Sequence, residues 1–210
     1  MPAPVDLLVP MKPPRAGKSR LRGAVAEAAH AALVLALAAD TVAAAASAGA
    51  VRRVLVVASD PDAVAELREF GVDVIGEGGA ADLNAALRHG AKSLRDDDAV
   101  SVIGALQADL PALRADELDA ALAEADGRRA FVADWVGTGT TLLLSAPGAP
   151  LDPWFGPGSA AAHRASGAVP LRLAVPTLRR DVDTLADLAH ARDLGLGRRT
   201  AEVLCERCVA

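Results

Sequence analysis

The chain contains no tyrosine, and aromatics make up only 2% of its 210 residues. A surface of stacked rings, the usual grip on single-stranded nucleic acid, has nothing to be built from. A basic excess is missing too. The net charge is −5, whereas a phosphate backbone needs a basic face. Cysteine is scarce, with Cys205 and Cys208 both in the terminal "CERCVA". One C-x-x-C supplies at most two of four zinc ligands, so these read as tail cysteines without a site. The N-terminal "MPAPVDLLVPMKPP" lacks the long apolar region of a signal peptide. One stretch, "AALVLALAADTVAAAASAGA" (31–50), is long enough to span a bilayer, but Asp40 interrupts it and most of it is alanine. A buried helix is the better reading. These absences predict a cytoplasmic protein with no nucleic-acid or membrane partner.

What is present is a large apolar fraction, 52%, enough for a substantial core. Short apolar runs alternate with longer helical ones. "VDLLVP" (5–10), "RRVLVVAS" (52–59), "VDVIGEGG" (72–79) and "DAVSVIGALQADLP" (98–111) read as strands. Helices are predicted over about 20–48, 60–71, 81–94 and 114–126. The second half reads as two strands around a Gly/Thr turn (129–148), a loop with a short helix (151–169), a strand region (169–183) and one or two final helices. This alternation predicts an α/β fold: one mainly parallel, Rossmann-like sheet with helices on both faces. No linker divides the chain. Residues 1–210 read as a single domain, nucleotide-binding over about 1–110 and acceptor-binding over about 111–200. Ligands in such sheets sit beyond the carboxyl ends of the strands.

Several motifs stand at those ends. "MKPPRAGKSRLR" carries five basic residues and no acid, which suits a small anionic ligand. It is not a P-loop: position 12 is lysine where glycine is required, and Pro13 and Pro14 lack N–H donors. Lys12 and Lys18 can still grip a triphosphate as point charges. Asp109 follows an apolar strand and is either a turn former or a metal ligand. "RRDVDTLADLAHA" places Asp181 and Asp183 one residue apart. In extended chain they share a face, with Cα atoms ~6.6 Å apart. The alternative is a helix cap at Asp183 or Thr184, with Asp187 closing a capping box. Carboxylates ~4 Å apart repel by ~4 kcal/mol at an effective dielectric of 20, and a hard divalent cation removes that penalty. "FGPGSAAAHRASGA" puts Gly156, Gly158 and Ser159 before a short helix, a candidate anion site. His163 reads as a surface residue. "GTGTT" (137–141) is a hairpin turn or a second anion site.

In this order, "VPMKPPRAGKSRL", "DLNAAL", "ALQADLPAL", "DWVGTGTTLL", "FGPGSAAAHRASGA" and "RRDVDTLADLAHARDLGLG" resemble the guanylyltransferases of deazaflavin coenzyme F(420) biosynthesis. The family has a phosphoenolpyruvate branch and a 2-phospho-L-lactate branch, and resembles the molybdenum-cofactor guanylyltransferases in its glycosyltransferase-A-type nucleotidyltransferase fold. The resemblance spans about residues 5–200. It implies that Asp109, Asp181 and Asp183 hold Mg2+, and that Thr141, Gly156 and Ser159 contact phosphoenolpyruvate. It makes Lys12 and Lys18 phosphate ligands, with Lys18 also catalytic, and puts the guanine pocket around Ser59, Glu77 and Asn84. The implied reaction is Mg2+-dependent transfer of GMP from GTP to the phosphate of phosphoenolpyruvate, giving enolpyruvoyl-2-diphospho-5′-guanosine and pyrophosphate. Its product would serve a downstream enzyme of the coenzyme F(420) pathway. The alternatives are 2-phospho-L-lactate as acceptor or a related nucleotidyltransferase. The Ala/Arg-rich composition fits a high-GC actinobacterium and, by association, phosphoenolpyruvate.

Overall fold

The computed structural model describes residues 4–15, 18–26 and 29–205. Gly17 of the basic loop and Cys208 lie outside them. Seven strands form one sheet: β1 (Val5–Met11), β2 (Val51–Ala58), β3 (Asp73–Gly76), β4 (Val102–Leu106), β5 (Ala130–Ala133), β6 (Thr140–Leu144) and β7 (Val169–Pro170). Their order is β3-β2-β1-β4-β6-β5-β7. β1 pairs in parallel with both β2 and β4, which explains its nearly unbroken apolar sequence. Its side chains alternate between two layers. Leu7, Val9 and Met11 pack with α1 (His30–Ser47) and α3 (Ala115–Ala125), whereas Leu8 packs with α2 (Leu83–Asp97) and α4 (Ser159–Ala165). α2 lies very close to the sheet. A Cβ on its Gly90 would stand 2.7 Å from Val57 Cγ2 and 2.9 Å from Leu8 Cδ2.

In the second half β6 runs antiparallel between β4 and β5. β5 therefore points the same way as β1 and β4, and the 134–139 hairpin loop emerges at the same edge as Met11, Ser59 and Gln107. That shared edge positions the site. α5 (Leu185–Leu194) and α6 (Arg198–Cys205) close the chain against α1. Asp40, the residue that interrupts the long apolar run, accepts hydrogen bonds from the N–H groups of Arg199 and Thr200 at the start of α6. The apolar run is thus a packed helix of the core.

Four elements differ from the sequence reading. The helix expected from residue 20 starts at His30: Gly23 takes φ +96°, and a 3-10 turn, Ser19–Leu21, stands before it. The segment after Pro61 is a 3-10 helix, Asp62–Phe70. The strand expected over 98–111 is only β4, and the chain leaves the sheet at Gln107 to enter the site. The strand region expected over 169–183 shrinks to β7. Pro170 and Pro176 donate no ladder bonds there. Carboxylates of α3 take over the backbone: Glu124 accepts from Arg172 and Leu173, and Glu117 from Thr177 and Leu178.

Candidate active site

A cleft of about 740 Å³ opens at the carboxyl edge of the sheet, within the usual size of a small-molecule site. It gathers residues from distant parts of the chain: Lys12 and Lys18 after β1, Ser59 after β2, Glu77 after β3, and Asp109 and Asp183. Six of the residues singled out from sequence therefore share one cavity.

The segment carrying the aspartates reaches Asp109 through its backbone. Val182 N–H donates to the Asp109 carbonyl at 3.0 Å. The cap of α5 is Thr184, whose hydroxyl accepts from Asp187 N–H while Asp187 accepts from Thr184 N–H. This capping box satisfies the helix end without using Asp181 or Asp183. Both are left free of the cap; Asp183 lines the cleft, and Asp181 lies behind its lining.

Lys18 stands between two of the acids. Its ammonium bonds Asp109 and, at 2.5 Å, Asp183 Oδ1. Burial alone would lower its pKa, but the two carboxylates outweigh burial, and the net shift is upward. Asp181 has no such partner. Burial, then the charges of Asp109 and Asp183, push its carboxyl up to about 7. Among the described residues, the buried Asp109 Oδ1 has no hydrogen-bond partner. Among the described residues, no three acidic, His or Cys side chains already form a metal cage. The donor set nonetheless fits a hard divalent cation: three carboxylates on one edge, one with an orphaned buried oxygen and one whose pKa is raised by burial and by the charges of the other two.

The remaining predicted residues lie outside the cavity lining. Thr141 is buried in β6, where its carbonyl accepts from Gln107 N–H at 2.9 Å and so steadies a residue that lines the cleft. Ser159 Oγ donates to Thr140 Oγ1 at 3.3 Å. Gly156 takes φ +143°, exposed at the turn before α4. Asn84 faces the segment that leads into α4. Its amide donates to the Phe155 carbonyl at 2.9 Å and accepts from Phe155 N–H at 2.8 Å.

His163 corrects the sequence reading: it is fully buried, not on the surface. Trp154 N–H donates to its Nε2 at 2.9 Å, so in the neutral ring Nδ1 carries the proton and donates to Thr140 Oγ1, also at 2.9 Å. Burial, then Arg129, pull its pKa down to about 4. It is a fixed neutral strut between β6, α4 and the 152–155 segment. The available signal was its spacing from Ser159, one helical turn away across alanines that allow close packing.

The sheet is shared with solved nucleotidyltransferases of the nucleotide-diphospho-sugar transferase fold. A 4-diphosphocytidyl-2C-methyl-D-erythritol synthase superposes with a TM-score of 0.60 at 16% identity, covering 92% of this chain and 99% of that one. A cytidylyltransferase from Leptospira borgpetersenii gives 0.60 at 16% identity, over 96% and 92%. Sequence relatives are nearer. The phosphoenolpyruvate guanylyltransferase of Streptomyces scabiei is 55% identical over 93% of each chain. That of Salinispora arenicola is 50% identical over 95% of this chain and 92% of its own, and that of Mycobacterium ulcerans 44% over 95% and 93%. The model of the family described as "Guanylyl transferase CofC like" matches residues 5–157. With its cleft, its fold and these relatives in agreement, the chain belongs to the CofC-like guanylyl transferase family and is a guanylyltransferase.

Proposed function

We propose that the protein transfers GMP from GTP to the phosphate of phosphoenolpyruvate, giving enolpyruvoyl-2-diphospho-5′-guanosine and pyrophosphate. The observation that carries this reading is the meeting of Lys12, Lys18, Asp109 and Asp183 in one cleft, in a chain 55% identical to a phosphoenolpyruvate guanylyltransferase. We assign the half of the chain up to about residue 110 to the nucleotide and the half beyond it to the acceptor. In the coenzyme F(420) pathway the product would pass to the next enzyme.

An acceptor phosphate oxygen attacks the α-phosphorus of GTP. One P–O bond forms there, the α–β bridging P–O bond breaks, and pyrophosphate leaves with its electron pair. The attacking phosphate is already ionised at neutral pH, so no general base is needed. What the protein supplies is positioning and positive charge for two polyanions. Lys12 and Lys18 grip the triphosphate. Ser59 and Glu77 stand where the guanine would lie. Thr141, Gly156 and Ser159 shape the acceptor side, on a frame held by His163 and Asn84. Asp109, Asp181 and Asp183 would hold Mg2+, which neutralises charge on the phosphates when bound.

The test is pyrophosphate release from GTP with Mg2+, comparing phosphoenolpyruvate, 2-phospho-L-lactate and no acceptor. Release with phosphoenolpyruvate alone is expected. Release only with 2-phospho-L-lactate moves the protein to the other branch of the family. Absence of release with both overturns the reading.

A further inference from the structure

Two neighbouring arginines precede the aspartate pair, and the fold uses them differently. Arg179 is fully engaged: Nε donates to the Ala133 carbonyl at 3.1 Å, and Nη2 to the Asp134 carbonyl at 2.9 Å. Arg180 is 7% exposed, yet makes none of the ion pairs or hydrogen bonds found among the described residues. Its Nε is sealed from solvent without a partner. Its one directed contact is with Trp135, whose ring centre lies 4.3 Å from the guanidinium carbon.

A buried, unpaired guanidinium is costly to a folded protein. Every other buried charged side chain with a described partner is matched: Asp6 by Arg52, and Asp40 by two backbone N–H groups. The Trp135 face contributes a cation–π contact and fixes the plane of the group, but among the described residues no acceptor meets its N–H donors, of which Nε is sealed from solvent. Such a planar fork matches a carboxylate or phosphate.

Its place in the fold says which ligand. Trp135 sits in the 134–139 loop at the ligand edge of the sheet. Thr138, in the same loop, accepts through its carbonyl from Ala160 N–H of α4, next to Ser159. Arg180 immediately precedes Asp181, whose carboxyl is close enough to Asp109 and Asp183 for their charges to raise its pKa. Arg180 thus lies one residue step along the chain from the metal-side acids and stacks on the ligand-edge loop, beside the cleft rather than among the residues that line it. An acceptor with a phosphate at one end and a carboxylate at the other matches this pair.

We propose that Arg180, held flat by Trp135, is the receptor for the acceptor's carboxylate and selects phosphorylated carboxylic acids over other phosphate esters. This rests on the acceptor reading above. In the free protein the fork waits unpaired; the bound carboxylate completes it.

The test compares wild type, Arg180→Gln and Arg180→Lys with two acceptors: phosphoenolpyruvate, and isopropenyl phosphate, which has methyl in place of the carboxylate. In Arg180→Gln the KM for phosphoenolpyruvate should rise about 10- to 100-fold, the loss of charge-assisted hydrogen bonds. The KM for GTP should stay within about twofold, and Arg180→Lys should recover part of the loss. Wild type should discriminate strongly against isopropenyl phosphate, and Arg180→Gln should not. Equal losses with both acceptors, or an unchanged KM for phosphoenolpyruvate, overturn the assignment and leave the reaction standing. A wild type that releases no pyrophosphate with phosphoenolpyruvate or 2-phospho-L-lactate overturns the reaction, and this assignment with it.

Discussion

Lys18 Nζ donates to Asp183 Oδ1 at 2.5 Å, joining residues 165 apart in sequence. The same ammonium bonds Asp109. A cation therefore already stands where the carboxylates demand one, and it is the protein's own. A metal ion shared by Asp109 and Asp183 needs Lys18 to turn away, and the triphosphate is the anion that can draw it. Lys18→Met should lower kcat/KM for pyrophosphate release by at least about 100-fold. It should also free the two acids, so that added Mg2+ raises the thermal midpoint of the ligand-free variant more than that of wild type. Scanning calorimetry with and without Mg2+ measures this; equal shifts would mean the ammonium does not occupy that position.

Asp181 gives a prediction of opposite sign for stability and activity. Its carboxyl is pushed up to about 7 from the ordinary 3.8, by burial first and then by Asp109 and Asp183. The folded state holds the proton more tightly than the unfolded one. The favourable contribution is therefore complete below pH 3.8 and lost as pH rises through about 7. Asparagine never ionises. Asp181→Asn should exceed the wild-type thermal midpoint by a margin that grows from about pH 4 to about pH 7 and then levels off, while transfer falls at least about 100-fold. A pH series of melting curves decides it, and a variant less stable at pH 8 would refute the physical picture.

The α/β order of the first half could be read from apolar runs because its strands are buried on both faces and its helices end at Gly71 and Gly127. That Asp109, Asp183, Lys12, Lys18, Ser59 and Glu77 would meet in one cleft was legible for a related reason. Strand ends in a parallel sheet converge, so position along the chain predicts position in space. The second half was harder. Its backbone between Leu171 and Leu178 is held by Glu117 and Glu124 of α3, tertiary bonds with no local pattern. His163 and Arg180 were missed for the same reason: one is polar but buried, the other charged but unpaired, and neither condition is written in neighbouring residues.

His163 should give the free protein an acid-sensitive acceptor side. Burial, then Arg129, lower its pKa to about 4, against 6.5 when unperturbed. Its contribution to stability is present above pH 6.5 and lost as pH falls toward and through 4. Protonation also removes the Nε2 acceptor that holds Trp154 N–H. Wild type should therefore lose thermal stability steeply between pH 6.5 and 4, and His163→Gln should flatten that limb of the profile. An unchanged slope in the variant would assign the acid loss to other groups.

Asn84 separates the two halves of the site experimentally. The family resemblance groups it with the guanine pocket, but both ends of its amide are bonded to the Phe155 backbone, across 71 residues. Phe155 packs with His163, ring centres 5.0 Å apart, and His163 in turn bonds Thr140, which accepts from Ser159. Loosening Phe155 should therefore disturb the acceptor contacts before the nucleotide contacts. Asn84→Ala should destabilise the fold by about 1–3 kcal/mol, the cost of leaving part-buried backbone groups unpaired. It should raise the KM for phosphoenolpyruvate several-fold more than the KM for GTP. Steady-state kinetics with each substrate varied in turn provides the measurement. A larger rise in the KM for GTP would return Asn84 to the nucleotide and show that the Phe155 tether is not its main role.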